Sequence, residues 1–324
     1  MNFFYEVYIN VILKKVLVLS FSFRSMLFLV VLFTSLKNYA QNTDEQLSFT
    51  LSNDKFADRD QYFTNGVYFN YYKLLPKTFI LPKKEGAIIQ LNIGLGNEIF
   101  SPTGLSSFSN RDFDRSFAGW LFVELEVGSI KEKSAFFLSF ETGITGEESL
   151  SGKLQVGFHD LFGIDSRPTW VDEIPFKWLF NFKTNHIFDV VSNQHHGVQY
   201  RVSPSLGTKD IYLENEISYY FGKLNNFQNS SRTRISGDNT AKEFFGYIAL
   251  GHKYVVHNTI IQGSIFNNNE PFTTGIENHV FKTEIGAVLQ SKRNFFKVFY
   301  NYNTKENSLS TSHIYGSLAY ARSF

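Results

Sequence analysis

The chain has 324 residues, no cysteine, 36 phenylalanines, 17 tyrosines and a formal charge of +1. Without cysteine, disulfides and thiol chemistry are excluded, and a near-neutral chain is not a strongly basic nucleic-acid binder. Abundant aromatic residues at a mean hydropathy of −0.17 point away from a helical Leu- and Ala-rich enzyme, toward strands with one greasy and one polar face.

The first 40 residues stand apart. They hold Lys14, Lys15, Arg24 and Lys37 against Glu6 alone. An apolar run at 26–33 follows Arg24, and Tyr39-Ala40 precedes Gln41. A basic segment, a short apolar run and a small residue at the cut make a secretory signal over residues 1–40. The run is too short to span a bilayer. Met26 offers an alternative start, and an uncleaved anchor helix is the competing reading. Without residues 1–40 the net charge becomes −2, since four basic and one acidic side chain leave. Residues 41–324 carry no linker, low-complexity tract or internal repeat and read as one exported domain.

From there alternation dominates. A short segment at 46–52 leads into a loop, and Val67, Phe69 and Tyr71 share a face at 65–74. At 86–97, Ile89, Leu91, Ile93 and Leu95 alternate with Gln90, Asn92 and Gly94. At 117–128, Leu121, Val123, Leu125 and Val127 alternate with Trp120, Phe122, Glu124 and Glu126. Phe136, Leu138, Phe140 and Ile144 follow at 133–145, then Phe176, Trp178, Phe180 and Phe182 at 175–188. Further strands fall at 196–207, 210–221, 243–255, 279–290, 294–303 and 312–324. Twelve strands of about ten residues suit a tilted membrane crossing.

The fold class is therefore all-β, an antiparallel transmembrane β-barrel of about twelve strands with a short helix in an extracellular loop. The apolar face meets lipid, and the mixed face of Glu, Lys, Asn and Tyr fills the lumen. A soluble β-sandwich is the alternative that alternation alone leaves open. Pro204 falls inside a strand and suggests a bulge. Arg322 sits on the same face as Leu318 and Tyr320, where lipid is expected. With the N-terminus in the periplasm, the loops at 53–64, 98–116, 146–173, 256–278 and 304–311 are extracellular. The periplasmic turns at 129–132, 189–195 and 291–293 are short, as barrels prefer. The long segment at 222–242 falls on the periplasmic side and suggests a mis-assigned strand there.

Two outer loops carry the chemistry. Residues 53–66 pack Asn53, Asp54, Asp58, Asp60, Thr64 and Asn65 together. Asn and Asp make turns by bonding their own backbone. They also supply hard oxygen ligands to Ca²⁺, although the spacing is not that of an EF-hand. In the second loop, 153–162 places Leu154, Phe158, Leu161 and Phe162 at helical spacing, with Gln155 and His159 at i and i+4. This is an amphipathic helix that rests against the barrel wall and turns His159 toward a cleft, or a packed loop holding an ordinary polar histidine. No G-x-S-x-G elbow, H-E-x-x-H pair or phosphate-binding glycine loop is present.

Taken in order, Asn53-Asp54, Asp60-x-Tyr62-x-Thr64-x-Gly66, Phe100-Ser101-Pro102-Thr103-Gly104, Gln155-x-x-x-His159-x-x-x-Gly163 and Pro168-x-Trp170 resemble the lipid A 3′-O-deacylase family of twelve-stranded bacterial outer-membrane barrels. The resemblance runs along essentially the whole mature chain. It implies hydrolysis of the ester holding the 3′-acyloxyacyl group of lipid A, with Ca²⁺ as cofactor. Lipid A or lipopolysaccharide is the implied substrate, outer-membrane lipids the surroundings, and a monomer the expected state. Asn53, Asp54, Thr64 and His159 match active-site residues. The family's Glu six residues beyond the histidine is Asp165 here, and a family Lys shortly after S-P-x-G is replaced near Ser107. The chemistry that follows has His159 as general base, with Asp165 fixing its tautomer. Ca²⁺ near Asp54, aided by Asn53, polarises the carbonyl, and Thr64 bonds substrate or water. A barrel without catalysis and a calcium-dependent phospholipase are the rival functions.

Overall fold

The computed structural model describes residues 44–76, 81, 85–164, 166–233, 242–266 and 269–324. The expected signal over 1–40 and Asp165 lie outside the described residues. Twelve strands follow in order: β1 (Glu45–Asn53), β2 (Tyr62–Leu75), β3 (Ile88–Ser101), β4 (Ala118–Ile130), β5 (Ser134–Ile144), β6 (Trp178–Ser192), β7 (His196–Gly207), β8 (Asp210–Lys223), β9 (Glu243–Asn258), β10 (His279–Ser291), β11 (Asn294–Asn303) and β12 (His313–Ser323). Each pairs antiparallel with its chain neighbours, and β1 pairs with β12, so the sheet closes into a barrel. Closure satisfies every edge, which a sheet in lipid requires.

The period-two pattern is realised in space. Ile93 and Leu95 of β3, Val123 and Leu125 of β4, and Phe180 and Phe182 of β6 are exposed on the outside. Between them Asn92, Glu126, Glu141 and Asn181 are buried in the lumen. Luminal charges are paired there: Lys183 with Glu141 at 2.8 Å, Lys282 with Glu214 at 3.0 Å, and Lys297 with Glu284 at 3.0 Å. Pairing is what a partly desolvated charge needs. Barrels of this kind keep short turns inside and longer loops outside. The end bearing the β1–β2, β3–β4 and β5–β6 loops is therefore the outer end.

Two sequence expectations are corrected, and the placement of Arg322 is explained. Among the described residues no strand is mis-assigned around 222–242. Residues 224–233 instead fold back as two 3-10 turns and plug the periplasmic mouth. Phe227 packs with Ile130, Ala135 and Phe137, and Leu224 packs with Phe245, Tyr247 and Val288. The fully buried Glu243 accepts from Asn225 N (2.8 Å), Ser230 Oγ (2.7 Å), Ser231 N (2.7 Å) and Ser231 Oγ (2.6 Å). Above this plug the lumen holds polar cavities of about 360 and 270 Å³ that share Arg201, Glu216 and Glu284. Pro204 causes no bulge: its strand keeps register across it, and the slips lie at Asp189/Val191 and Ile211/Tyr212. Arg322 is accommodated at the periplasmic rim, where its guanidinium and the Tyr320 hydroxyl both donate to Asn294 Oδ1, at 3.2 and 2.9 Å.

Candidate active site at the outer rim

The β1–β2 connection is built by its own polar side chains. Asn53 ends β1 in extended conformation, and its Oδ1 accepts from Lys55 N at 2.7 Å. That caps a 3-10 turn, Asp54–Ala57, which stops at Asp58 in the left-handed region (φ 59°). Asp54 accepts from Gln61 N at 2.6 Å through Oδ2 and from Arg59 N at 3.1 Å through its carbonyl. Much of the Asn/Asp richness is thus turn chemistry.

Asp54 does more than turn the chain. It is fully buried, and its Oδ1 has no hydrogen-bond partner. Burial pushes its carboxyl up to about 8; the Gln61 N–H opposes this, and the nearby Asp60 charge adds to it. Thr64 marks a bulge. Phe63 pairs with Phe100 and Asn65 with Ile99, so Thr64 is the extra residue. The bulge reverses the alternation, bringing the Phe63 ring over Gly66, where an added Cβ would lie 2.6 Å from it. Thr64 is buried, and its hydroxyl donates to the Tyr62 carbonyl at 3.3 Å. Asn53 stands in register with Asn65, the next residue along β2. It also alternates with Ser52 and Thr50, which line the lumen, so its side chain is on the outer face of the wall.

The β5–β6 loop contributes α1 (Ser151–Phe162). Its docking runs contrary to an ordinary amphipathic helix. The face against the wall is polar: Ser151, Gln155 and His159 are all buried. Ser151 exchanges hydrogen bonds with Asn97 at 3.1 and 3.2 Å, and Gln155 exchanges them with Ser101 at 2.9 and 3.2 Å. Trp170 Nε1 donates to Gln155 Oε1 at 2.8 Å. Gly119 permits this approach, since an added Cβ would lie 2.2 Å from Ser149 Oγ and 2.4 Å from Ser151 Oγ.

His159 is where the two loops meet. Its Nδ1 contacts the Ser166 carbonyl, which can only accept. The neutral ring therefore carries its proton on Nδ1 and a lone pair on Nε2. Nε2 lies 3.8 Å from Asp60 Oδ2. Asp60 is also held by Lys55 Nζ at 2.9 Å and Ser166 Oγ at 3.3 Å. A separation of 3.8 Å between two acceptors is too long for a direct bond and suits a bridging water. The arrangement can hold a water against a base beside the half-buried Asp60 carboxylate.

The fold thus places Asn53, Asp54 and Thr64 in one hairpin, and Asp60 of that hairpin touches His159. Sequence reasoning missed Asp60 and Ser166 as the partners of the imidazole. The i, i+4 spacing of Gln155 and His159 signalled their shared face, but nothing in it named the opposing strand. Ser107 Oγ donates to Asp112 Oδ2 at 2.6 Å and serves the β3–β4 loop as a turn former.

For Ca²⁺, the donor set is a fair match. Asp54 Oδ1 and Asp60 Oδ1 are buried carboxylate oxygens without partners, the hard ligands Ca²⁺ prefers. Among the described residues no group of three or more His, Asp or Glu gathers to hold a metal. Amide and carbonyl oxygens, water or substrate would complete the shell. Asn53 Oδ1 already caps the 3-10 turn.

The profile of the family described as Outer membrane protein LpxR matches residues 26–324. Among solved structures, LpxR from Salmonella typhimurium is similar with a TM-score of 0.71 and 19% identity, covering 86% of this chain and 100% of that one. The β domain of the Bordetella autotransporter BrkA gives a TM-score of 0.48 at 7% identity, covering 87% and 99%. No curated protein matches the sequence. With that profile spanning the barrel and the closed twelve-stranded architecture beneath it, the chain belongs to the LpxR family of outer membrane proteins and resides in the bacterial outer membrane.

Proposed function

We propose that this barrel hydrolyses the ester holding the 3′-acyloxyacyl group of lipid A in the outer leaflet. The observation that carries the proposal is the meeting of His159 with the Asp54–Asp60–Thr64 hairpin on the outer face of the wall, at the outer rim. That is where an ester at the boundary of headgroup and acyl layer presents itself. A monomer is the working unit in this proposal.

His159 acts as general base through Nε2, which takes a proton from water as the water attacks the acyl carbon; the ester C–O bond then breaks, and the imidazolium returns the proton to the leaving alcohol oxygen. The Ser166 carbonyl, bonded at Nδ1, holds the productive tautomer. Asp60 faces the imidazolium that forms and stabilises its charge. Asp165, the expected acidic partner, adds to this role in the proposal. Asp54 and Asp60 would hold Ca²⁺ with help from Asn53, and the ion when bound supplies Lewis-acid stabilisation of the developing oxyanion. Thr64 accepts a hydrogen bond from water or substrate. Its own proton points at a carbonyl, which is no base, and this favours direct attack by water over an acyl-threonine.

The test is mass spectrometry of lipid A from cells expressing the wild type or His159→Ala. Wild-type cells are expected to lose the mass of one acyloxyacyl group, and the variant to leave lipid A intact. Unchanged lipid A in both refutes the proposal, and loss of phospholipid acyl chains instead would make the enzyme a phospholipase.

A further inference from the structure

The helix α1 has three distinct flanks. At ~100° per residue, Ser151, Gln155 and His159 fall within an arc of ~80° and face the barrel. Leu154 and Leu161 lie within ~20° of one another, ~110° round from that arc. Lys153 and Asp160 form a third flank a further ~100° away. A helix on a water-soluble protein turns its apolar side inward. Here the inward side is polar, while Leu154 and Leu161 are 54% and 68% exposed and Leu150, just ahead of the helix, is 48% exposed. The charged flank points to water, with Lys153 near Glu147 and Asp160 near Arg167, both at 3.5 Å.

The strands beneath say what covers the apolar flank. Along the outer face of β3, Ile93 and Leu95 are exposed, while the next outward positions, Asn97, Ile99 and Ser101, are buried. Asn97 and Ser101 are the residues bonded to α1. On β4, Val123 and Leu125 are exposed, and Gly119 lies under Ser149 and Ser151. The helix therefore takes over the wall where the lipid-facing belt stops, and its leucines continue that belt. A polar inner side, an apolar flank continuous with the belt and a charged flank turned away from it are the features of a helix lying in the membrane interface.

We infer that α1 is an in-plane membrane helix whose Leu150–Leu154–Leu161 flank is immersed in the acyl layer of the outer leaflet. The outer wall beside His159 then lies against the leaflet, and a lipid reaches it without leaving the membrane. The immersion does not depend on catalysis, so loss of the proposed hydrolase activity would leave it standing.

The chain has no cysteine, which makes single nitroxide labels clean. Leu154→Cys, Leu161→Cys and Asp160→Cys are labelled in lipid vesicles containing lipopolysaccharide, and collisions with oxygen and with a water-soluble nickel chelate are compared. Labels at 154 and 161 are expected to favour oxygen several-fold, and the label at 160 to favour nickel. Free access of nickel to 154 and 161 would overturn the inference. Dipolar broadening that disappears on dilution with unlabelled protein would overturn it in favour of a second copy on this face. If a cysteine variant fails to keep the heat-modifiable gel shift of a folded barrel, Leu161→Trp with brominated lipids replaces it. Strong quenching supports the inference, and no quenching contradicts it.

Discussion

A carboxylate taken wholly out of water, with one oxygen unpaired, is stable only if it keeps a proton or gains a cation. Asp54 meets that condition, and burial raises its carboxyl to about 8. Because the folded value lies above the unfolded one, the native chain holds the extra proton between about pH 4 and 8. Stability from this group is full below that window and is lost as pH rises through it. A cation must displace the proton. Calcium affinity should therefore tighten by about tenfold per pH unit between pH 6 and 8, with proton release in weak buffer. Calorimetry checks this; a flat profile in the wild type, or a retained slope in Asp54→Asn, speaks against Asp54 as a ligand. His159→Ala should lower turnover by about 10²–10⁴-fold, the usual range for a general base, with the barrel still folded. The sequence made these residues legible as types and spacings. Asp60 was visible as an acid beside Thr64, but its contact with an imidazole 99 positions away depends on how the barrel closes.

At the scale of elements, α1 is positioned by hydrogen bonds rather than by apolar packing. Ser101→Ala removes both bonds to Gln155 and should cost roughly 1–3 kcal/mol locally. Measured on the purified barrel, kcat for the proposed deacylation should fall more than KM rises, because the proposed base moves while the lipid surface stays. Gly119→Val should act more strongly, since its Cβ would meet Ser149 and Ser151 well inside contact distance; retained activity there would show that helix placement is immaterial. Strain concentrates in the same loops: Asp58, Tyr62, Leu150, Trp170 and Asp172 all take positive φ without being glycine. The helix itself was readable from its period. Its inverted docking was not, because leucines at helical spacing look alike whether they face a core or a bilayer.

For the whole molecule, the twelve strands were readable because each must alternate to separate lipid from lumen. The plug was hidden, since the 224–233 segment has no period, and its ties to Glu243 and Phe137 span the barrel mouth. The combined Phe227→Ala and Glu243→Ala variant should turn an insulating barrel into one with measurable single-channel conductance in planar bilayers; a silent variant would mean that the lumen is closed elsewhere. The rest of the function hangs on whether a hairpin from the start of the chain and a helix from its middle operate as one machine. A double-mutant cycle on the rate of lipid A deacylation, with Asp54→Ala and His159→Ala alone and together, decides this. Residues acting as a unit give a double variant no slower than the slower single one. Losses that multiply would mean that the two loops work independently and that no shared ester-cutting site exists.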